Sequence, residues 1–169
     1  MDEGPPHVLL IEDNPDHADL VTFSLAESRP KAKTVHHVSD GDAALDYLFR
    51  RGDFADPDRS PRPHLILLDL RLPKVEGLAV LKEIKTSSDE ALRRTPVVVL
   101  TSSAADRDAA AAYDCLANSY VVKPVDFEKF HQLVADLSCY WLIWNRPAAH
   151  SETAGCPAGV GLQDGSPAR

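Results

Sequence analysis

Five polar residues stand directly behind apolar runs in this chain. Glu12 and Asp13 follow His7–Ile11, Asp69 follows His64–Leu68, Thr101 follows Thr95–Leu100, and Lys123 follows Ser119–Val122. Three carboxylates brought together repel one another, and a cation between them relieves that repulsion. Oxygen ligands favour a hard divalent ion such as Mg²⁺, which keeps several waters and takes phosphate oxygens into the same shell. A metal held this way neutralises and orients a phosphoryl group. A carboxylate facing the open side is then a nucleophile that yields an acyl phosphate. Lys123 adds a compact positive charge for the phosphate, and Thr101 adds a hydroxyl donor. Taken singly, these residues mean little. Asp13 would be a helix cap, Lys123 a surface lysine, and Tyr120 an aromatic at the edge of the core. Their order along the chain gives them chemical meaning.

The elements that must position them are legible. His7–Ile11 is a strand, and Asn14-Pro15 reads as an N-cap and first turn of a helix to about Glu27. Thr34–Val38 is a second strand, followed by a helix from Asp40 to about Arg50. Residues 52–63, with Pro57, Pro61 and Pro63 among acids, form a surface loop. Further strands are expected over His64–Leu68, Thr95–Leu100 and Ser119–Val122, and further helices over 77–86, 104–117 and from an N-cap at Asp126. Five strands and five helices alternate. Nearly unbroken apolar strands are buried on both faces, which means a parallel sheet covered by helices. Right-handed crossovers leave few topologies. The flavodoxin-like, doubly wound (βα)5 order 2-1-3-4-5 fits best. In such a sheet all strand carboxyl ends share one rim, so the five polar residues converge there although more than a hundred residues of chain separate them.

Composition narrows the function. A net charge of −8 over 169 residues argues against a nucleic-acid surface. Three cysteines, Cys115, Cys139 and Cys156, without a CxxC pair argue against a disulfide framework or structural zinc and suit a reducing compartment. The first residues lack the basic start of a secretory signal, and no apolar run is long enough to span a bilayer. A cytoplasmic protein is expected. The seven histidines show no ligand spacing; His36-His37 in a strand point to opposite faces.

The runs Leu9-Leu10-Ile11-Glu12-Asp13-Asn14, Leu67-Leu68-Asp69-Leu70-Arg71-Leu72-Pro73, Gly77, Val99-Leu100-Thr101-Ser102 and Tyr120-Val121-Val122-Lys123-Pro124 resemble those of response-regulator receiver domains. The resemblance spans roughly residues 5 to 140. In detail, Asp69-Leu-Arg-Leu-Pro-Lys and the long loop before His64 look like the small receivers that partner bacterial phytochromes. The resemblance implies Asp69 as phosphoacceptor for a sensor histidine kinase. It implies Mg²⁺ on Glu12, Asp13, Asp69 and the carbonyl of Arg71. Thr101 and Lys123 would contact the phosphate, Thr101 and Tyr120 would be the switch pair, and Pro124, usually after a cis peptide, would shape its loop. Phosphorylation would alter the surface of the fourth helix, fifth strand and fifth helix.

Two rivals are weighed by residues. Haloacid-dehalogenase-like phosphatases carry a second Asp two positions beyond the nucleophile; here that position is Arg71. A binding adaptor without phosphorylation would not need the full polar set.

The last helix is apolar beyond one stripe: Phe127, Phe130, Val134, Leu137, Trp141 and Trp144 recur at three- and four-residue spacing, and Leu133, Tyr140 and Ile143 widen the apolar side. The surplus predicts a homodimer, with Phe130, Leu137, Trp141 and Trp144 as its contacts. A receiver domain over residues 5–144 and a disordered Pro/Gly/Ala/Ser-rich tail over residues 145–169 complete the expectation.

Overall fold

The computed structural model of the chain describes residues 4–31 and 33–146. Five strands, β1 (His7–Ile11), β2 (Thr34–Val38), β3 (Leu65–Leu68), β4 (Val97–Thr101) and β5 (Ser119–Val122), pair in parallel in the order β2-β1-β3-β4-β5. That is the topology read from the alternation of apolar and amphipathic segments. The central strands are buried on both faces because every residue of Leu65-Ile-Leu-Leu and Val97-Val-Val-Leu is apolar. Successive side chains alternate between faces. Leu9, Ile11, Ile66, Leu68, Val97 and Val99 therefore join one core layer, and Val8, Leu10, Leu65, Leu67, Val98 and Leu100 join the other.

Six helices cover the sheet: α1 (Pro15–Glu27), α2 (Gly41–Phe49), α3 (Gly77–Lys85), α4 (Glu90–Arg94), α5 (Asp106–Asp114) and α6 (Phe127–Cys139). Val21 and Leu25 of α1 pack with Phe130 and Val134 of α6 on one face, while Ala44, Leu48, Val80, Leu81, Ile84 and Ala112 cover the other. The expected caps form. Asn14 accepts from the backbone N–H groups of Asp16 and His17, and Asp126 accepts from that of Lys129.

The count of five helices needs one correction. α4 is a single extra turn and a half between α3 and β4. It is too short for periodicity to announce. It is held by the Asp89 cap, by burial of Leu92, and by Lys85, whose ammonium donates to the Thr95 carbonyl (2.8 Å), the Arg93 carbonyl (3.4 Å) and Asn118 Oδ1 (3.0 Å). Burial without an acidic partner pulls the Lys85 pKa down to about 8.

The last helix also differs. Its α-helical part ends at Cys139 and a wide turn, Tyr140–Trp144, carries the chain on. Phe130 is buried at 3% exposure in the core layer with Val134, so it belongs to this chain's interior and not to a dimer face. The reason is geometric: the stripe facing the sheet takes Phe130, and Leu137 and Trp141 lean on the same layer. Of the four contacts expected for a partner, only Trp144 is well exposed, beside Tyr140 and Ile143. The tail lies outside the described residues from position 147 onward. The peptide before Pro124 is not cis; among the described residues the cis peptide is Arg29-Pro30. The long Lys123 side chain reaches the neighbouring carboxylates with a trans bond at that position. No described helix is long and apolar enough to cross a membrane.

Candidate functional site

The sheet ladder runs one residue past the strand ends, and this fixes the site. Glu12 N–H donates to the Val38 carbonyl (3.1 Å), Asp69 N–H to that of Ile11 (3.0 Å), and Lys123 N–H to that of Thr101 (2.8 Å). The backbones of three chemically active residues are thereby registered on neighbouring strands. Carboxylate oxygens of Glu12, Asp13 and Asp69 lie within 4.8 Å of one another, with Glu12 and Asp69 buried and Asp13 exposed. This donor set of three carboxylates, open on the Asp13 side, fits a hard divalent cation.

The Lys123 ammonium sits among these groups. It donates to Asp69 Oδ2 at 2.8 Å, to Glu12 Oε2, and to His17 Nδ1 at 3.2 Å. Three N–H donors meet three acceptors. Asp69 Oδ1 accepts from the Arg71 backbone N–H at 3.1 Å, and Glu12 Oε1 accepts from that of Asn14 at 3.1 Å. Desolvation by burial dominates at Glu12 and raises its pKa, with the Asp69 charge adding to it; Lys123 works in the opposite direction. The rim is therefore electrostatically strained despite its ion pairs.

Thr101 ends β4 fully buried, and its Oγ1 accepts from Ser103 N–H at 3.4 Å. Tyr120 is half-buried, and its hydroxyl donates to the Ser103 carbonyl at 2.9 Å. Thr101 and Tyr120 thus meet on one short loop. Arg71 offers its backbone to Asp69, while its guanidinium points outward to within 4.0 Å of Asp108; Asp108 in turn accepts from the Ser103 hydroxyl at 2.5 Å. Pro124 follows Lys123 at the end of β5. Gly77 begins α3 against Asp69. A Cβ there would press onto the Asp69 carbonyl and come within 2.6 Å of Leu70 Cα, so only glycine allows this approach.

Sequence reasoning missed three participants. His17 was one histidine among seven, and its contact with Lys123 spans 106 residues. Ser103 and Asp108 carried no signal beyond a polar loop and a helix start. The Asn14 cap could have pointed to His17, because the cap fixes the first turn of α1 on which His17 sits.

Residues 8–135 match the family model described as the response regulator receiver domain. The chain belongs to that family. Among relatives of this receiver, the probable methanogenesis regulatory protein FilR2 of Methanothrix harundinacea is 44% identical over 144 residues, covering 85% of this chain and 88% of the relative. The response regulator Rcp1 of Synechocystis sp. is 39% identical over 146 residues, covering 83% and 92%. A crystal structure of the Mn²⁺-bound form of a response regulator Rcp1 superposes with a TM-score of 0.78 at 37% identity, covering 86% of this chain and all of that one. The phosphorylated cyanobacterial phytochrome response regulator RcpA gives a TM-score of 0.79 at 37% identity, with the same coverage.

Proposed function

We propose that this receiver takes a phosphoryl group onto Asp69 from the phosphohistidine of a sensor histidine kinase, and that the kinase is a phytochrome. The observation that carries the reading is the convergence of the Glu12, Asp13 and Asp69 carboxylates around one buried lysine. The phytochrome assignment rests on the likeness to Rcp1 and RcpA. In the transfer, an Asp69 carboxylate oxygen forms a bond to phosphorus. The P–N bond to the kinase histidine breaks, and its electron pair stays on the imidazole nitrogen. Glu12, Asp13, Asp69 and the Arg71 carbonyl would hold a Mg²⁺ ion, which would supply charge neutralisation and orientation for the phosphoryl oxygens. Lys123 gives up carboxylate contacts and pairs with the phosphoryl group. Hydrolysis of the acyl phosphate returns the aspartate.

The switch uses Thr101 and Tyr120. A phosphoryl oxygen draws the Thr101 hydroxyl away from Ser103 N–H. The Ser103 loop moves with it, and Tyr120 follows through its bond to the Ser103 carbonyl. The surface of α5, β5 and α6 then changes its partner preference, a two-state equilibrium biased by local charge. The receiver unit is taken as residues 5–144, working in the cytoplasm, with residues 145–169 as a tail. A homodimer forms through the exposed Tyr140, Ile143 and Trp144 with the flanks of Leu137 and Trp141. Equilibrium sedimentation should give a concentration-dependent dimer that Trp144→Ala weakens; a monomer mass at every concentration removes this part.

The central test is incubation with acetyl phosphate and Mg²⁺ followed by intact-mass measurement. Wild type should gain one phosphoryl adduct and Asp69→Asn none. An adduct on both proteins, or on neither, overturns the reading.

A further inference from the structure

We infer that His17 is a positioning residue of the phosphorylation site: its Nδ1 lone pair is the neutral acceptor that holds the Lys123 ammonium over Asp69. The inference rests on the reading of Asp69 as phosphoacceptor and extends the set of residues that serve it.

Lys123 Nζ has donors only, so the 3.2 Å contact with His17 Nδ1 requires that nitrogen to be unprotonated, with the imidazole proton on Nε2. The same Nδ1 lies 3.7 Å from Glu12 Oε1. It cannot donate there while accepting from lysine, and the shorter contact decides between them. His17 is thereby distinguished from the other two partners of Lys123. Glu12 and Asp69 are shared with the cation site, and Asp69 changes chemically on phosphorylation. His17 does neither. It is the one partner that stays available when carboxylate oxygens are engaged elsewhere.

Its placement is built from the backbone up. Asn14 Oδ1 accepts from the N–H of His17 itself at 3.2 Å, Pro15 opens the helix, and Ala18 beside it is buried against the sheet. The side chain is 38% exposed, with Nδ1 on its inner edge toward Lys123. A four-carbon ammonium stem has several rotamers of similar energy. An acceptor fixed on a helix start selects the one that points along β5 toward Asp69. The Lys123 side chain is 4% exposed, which leaves little water to perform that service instead.

The test uses a pair of variants of similar side-chain size, His17→Asn and His17→Leu. Asparagine keeps an oxygen acceptor near the position of Nδ1; leucine has none. With acetyl phosphate and Mg²⁺ at saturation, His17→Leu should acquire phosphoryl adduct about three- to tenfold more slowly than wild type, a range of the size expected from the net loss of one hydrogen bond. His17→Asn should stay within about twofold. Leucine and asparagine slowed alike, or neither slowed, overturns the inference. A second measurement needs no phosphorylation. Long-range ¹H–¹⁵N spectra of the histidine rings, at a pH well above the ordinary imidazole pKa of ~6.5, should show His17 in the Nε2–H form. Lys123→Met should relax that preference. His17 in the Nδ1–H form, or unchanged by Lys123→Met, also overturns it. Should wild type acquire no adduct, the assignment of Asp69 fails while these spectra still judge the His17–Lys123 contact.

Discussion

The two rims of the sheet hold charge in opposite ways. At the carboxyl rim, Glu12, Asp69 and Lys123 are buried ionic groups, and burial pushes the Glu12 pKa upward. Toward the amino rim, three histidines meet one another. His7 Nδ1 lies 3.3 Å from His36 Nε2, and the His7 N–H donates to His64 Nδ1 at 3.0 Å. The His36 ring also tilts against Tyr47, whose hydroxyl donates to the Pro61 carbonyl and whose pKa burial pushes up to about 12. Burial lowers the pKa values of His7 and His36, and at His7 the neighbouring imidazoles add to the effect. One rim gathers buried charges; the other is a histidine seam that closes the loop over 52–64 onto the strand starts. Buried charge is concentrated at the carboxyl rim, and the opposite edge is satisfied by the chain's own hydrogen bonds.

Removing the cation from the strained rim should break the contrast most. Lys123→Met leaves two buried carboxylates facing each other. It should cost about 3 kcal/mol of unfolding free energy without divalent ions, the size expected when one partner of a buried pair is removed. Mg²⁺ should restore more stability to this variant than to wild type, because no ammonium has to be displaced. Urea titrations with and without Mg²⁺ check both points, and an undiminished midpoint in metal-free buffer would contradict the picture of a strained rim.

Crowding the Asp69 backbone comes next. Gly77→Ala should cost roughly 1–3 kcal/mol, as overpacking does. It should also slow adduct formation, since the new methyl displaces the Asp69 carbonyl. Equal stability and equal rate would show that α3 can retreat.

The amino rim should yield the smallest effect, with a definite sign. The unfolded histidines bind protons more readily than folded His7 and His36 do, so their contribution is complete above pH ~6.5 and declines as pH falls through the lowered folded values. His36→Gln should flatten that part of the stability–pH curve. Wild-type and His36→Gln curves of equal slope between pH ~6.5 and 5 would remove the seam from consideration.

How legible this was depends on where each determinant resides. β1, α1, β2 and β5 were bounded from sequence because apolar runs end at capping or breaking residues such as Asn14-Pro15. The convergence of Glu12, Asp13, Asp69 and Lys123 followed from parallel topology alone, as strand ends share a rim. α4 was not legible, because its stability comes from Lys85 and from the ion pair between Arg62 and Asp89, both tertiary. His17, and the Ser103 bridge between Thr101 and Tyr120, depend on side-chain directions across elements, which no local pattern encodes. Phe130 was misassigned because a stripe can announce burial without saying whether the cover is the same chain.

The Lys85 brace gives the fold an internal reporter. An amine with a pKa near 8 is substantially unprotonated in mildly alkaline buffer, yet this one is walled in by α3, α4 and the start of β4. Reaction with an acylating reagent therefore depends on the population in which that wall has parted. Site-resolved acylation of Lys85, followed with time by mass spectrometry and compared with an exposed lysine, would report the local opening of the sheet's α3 side in the intact protein.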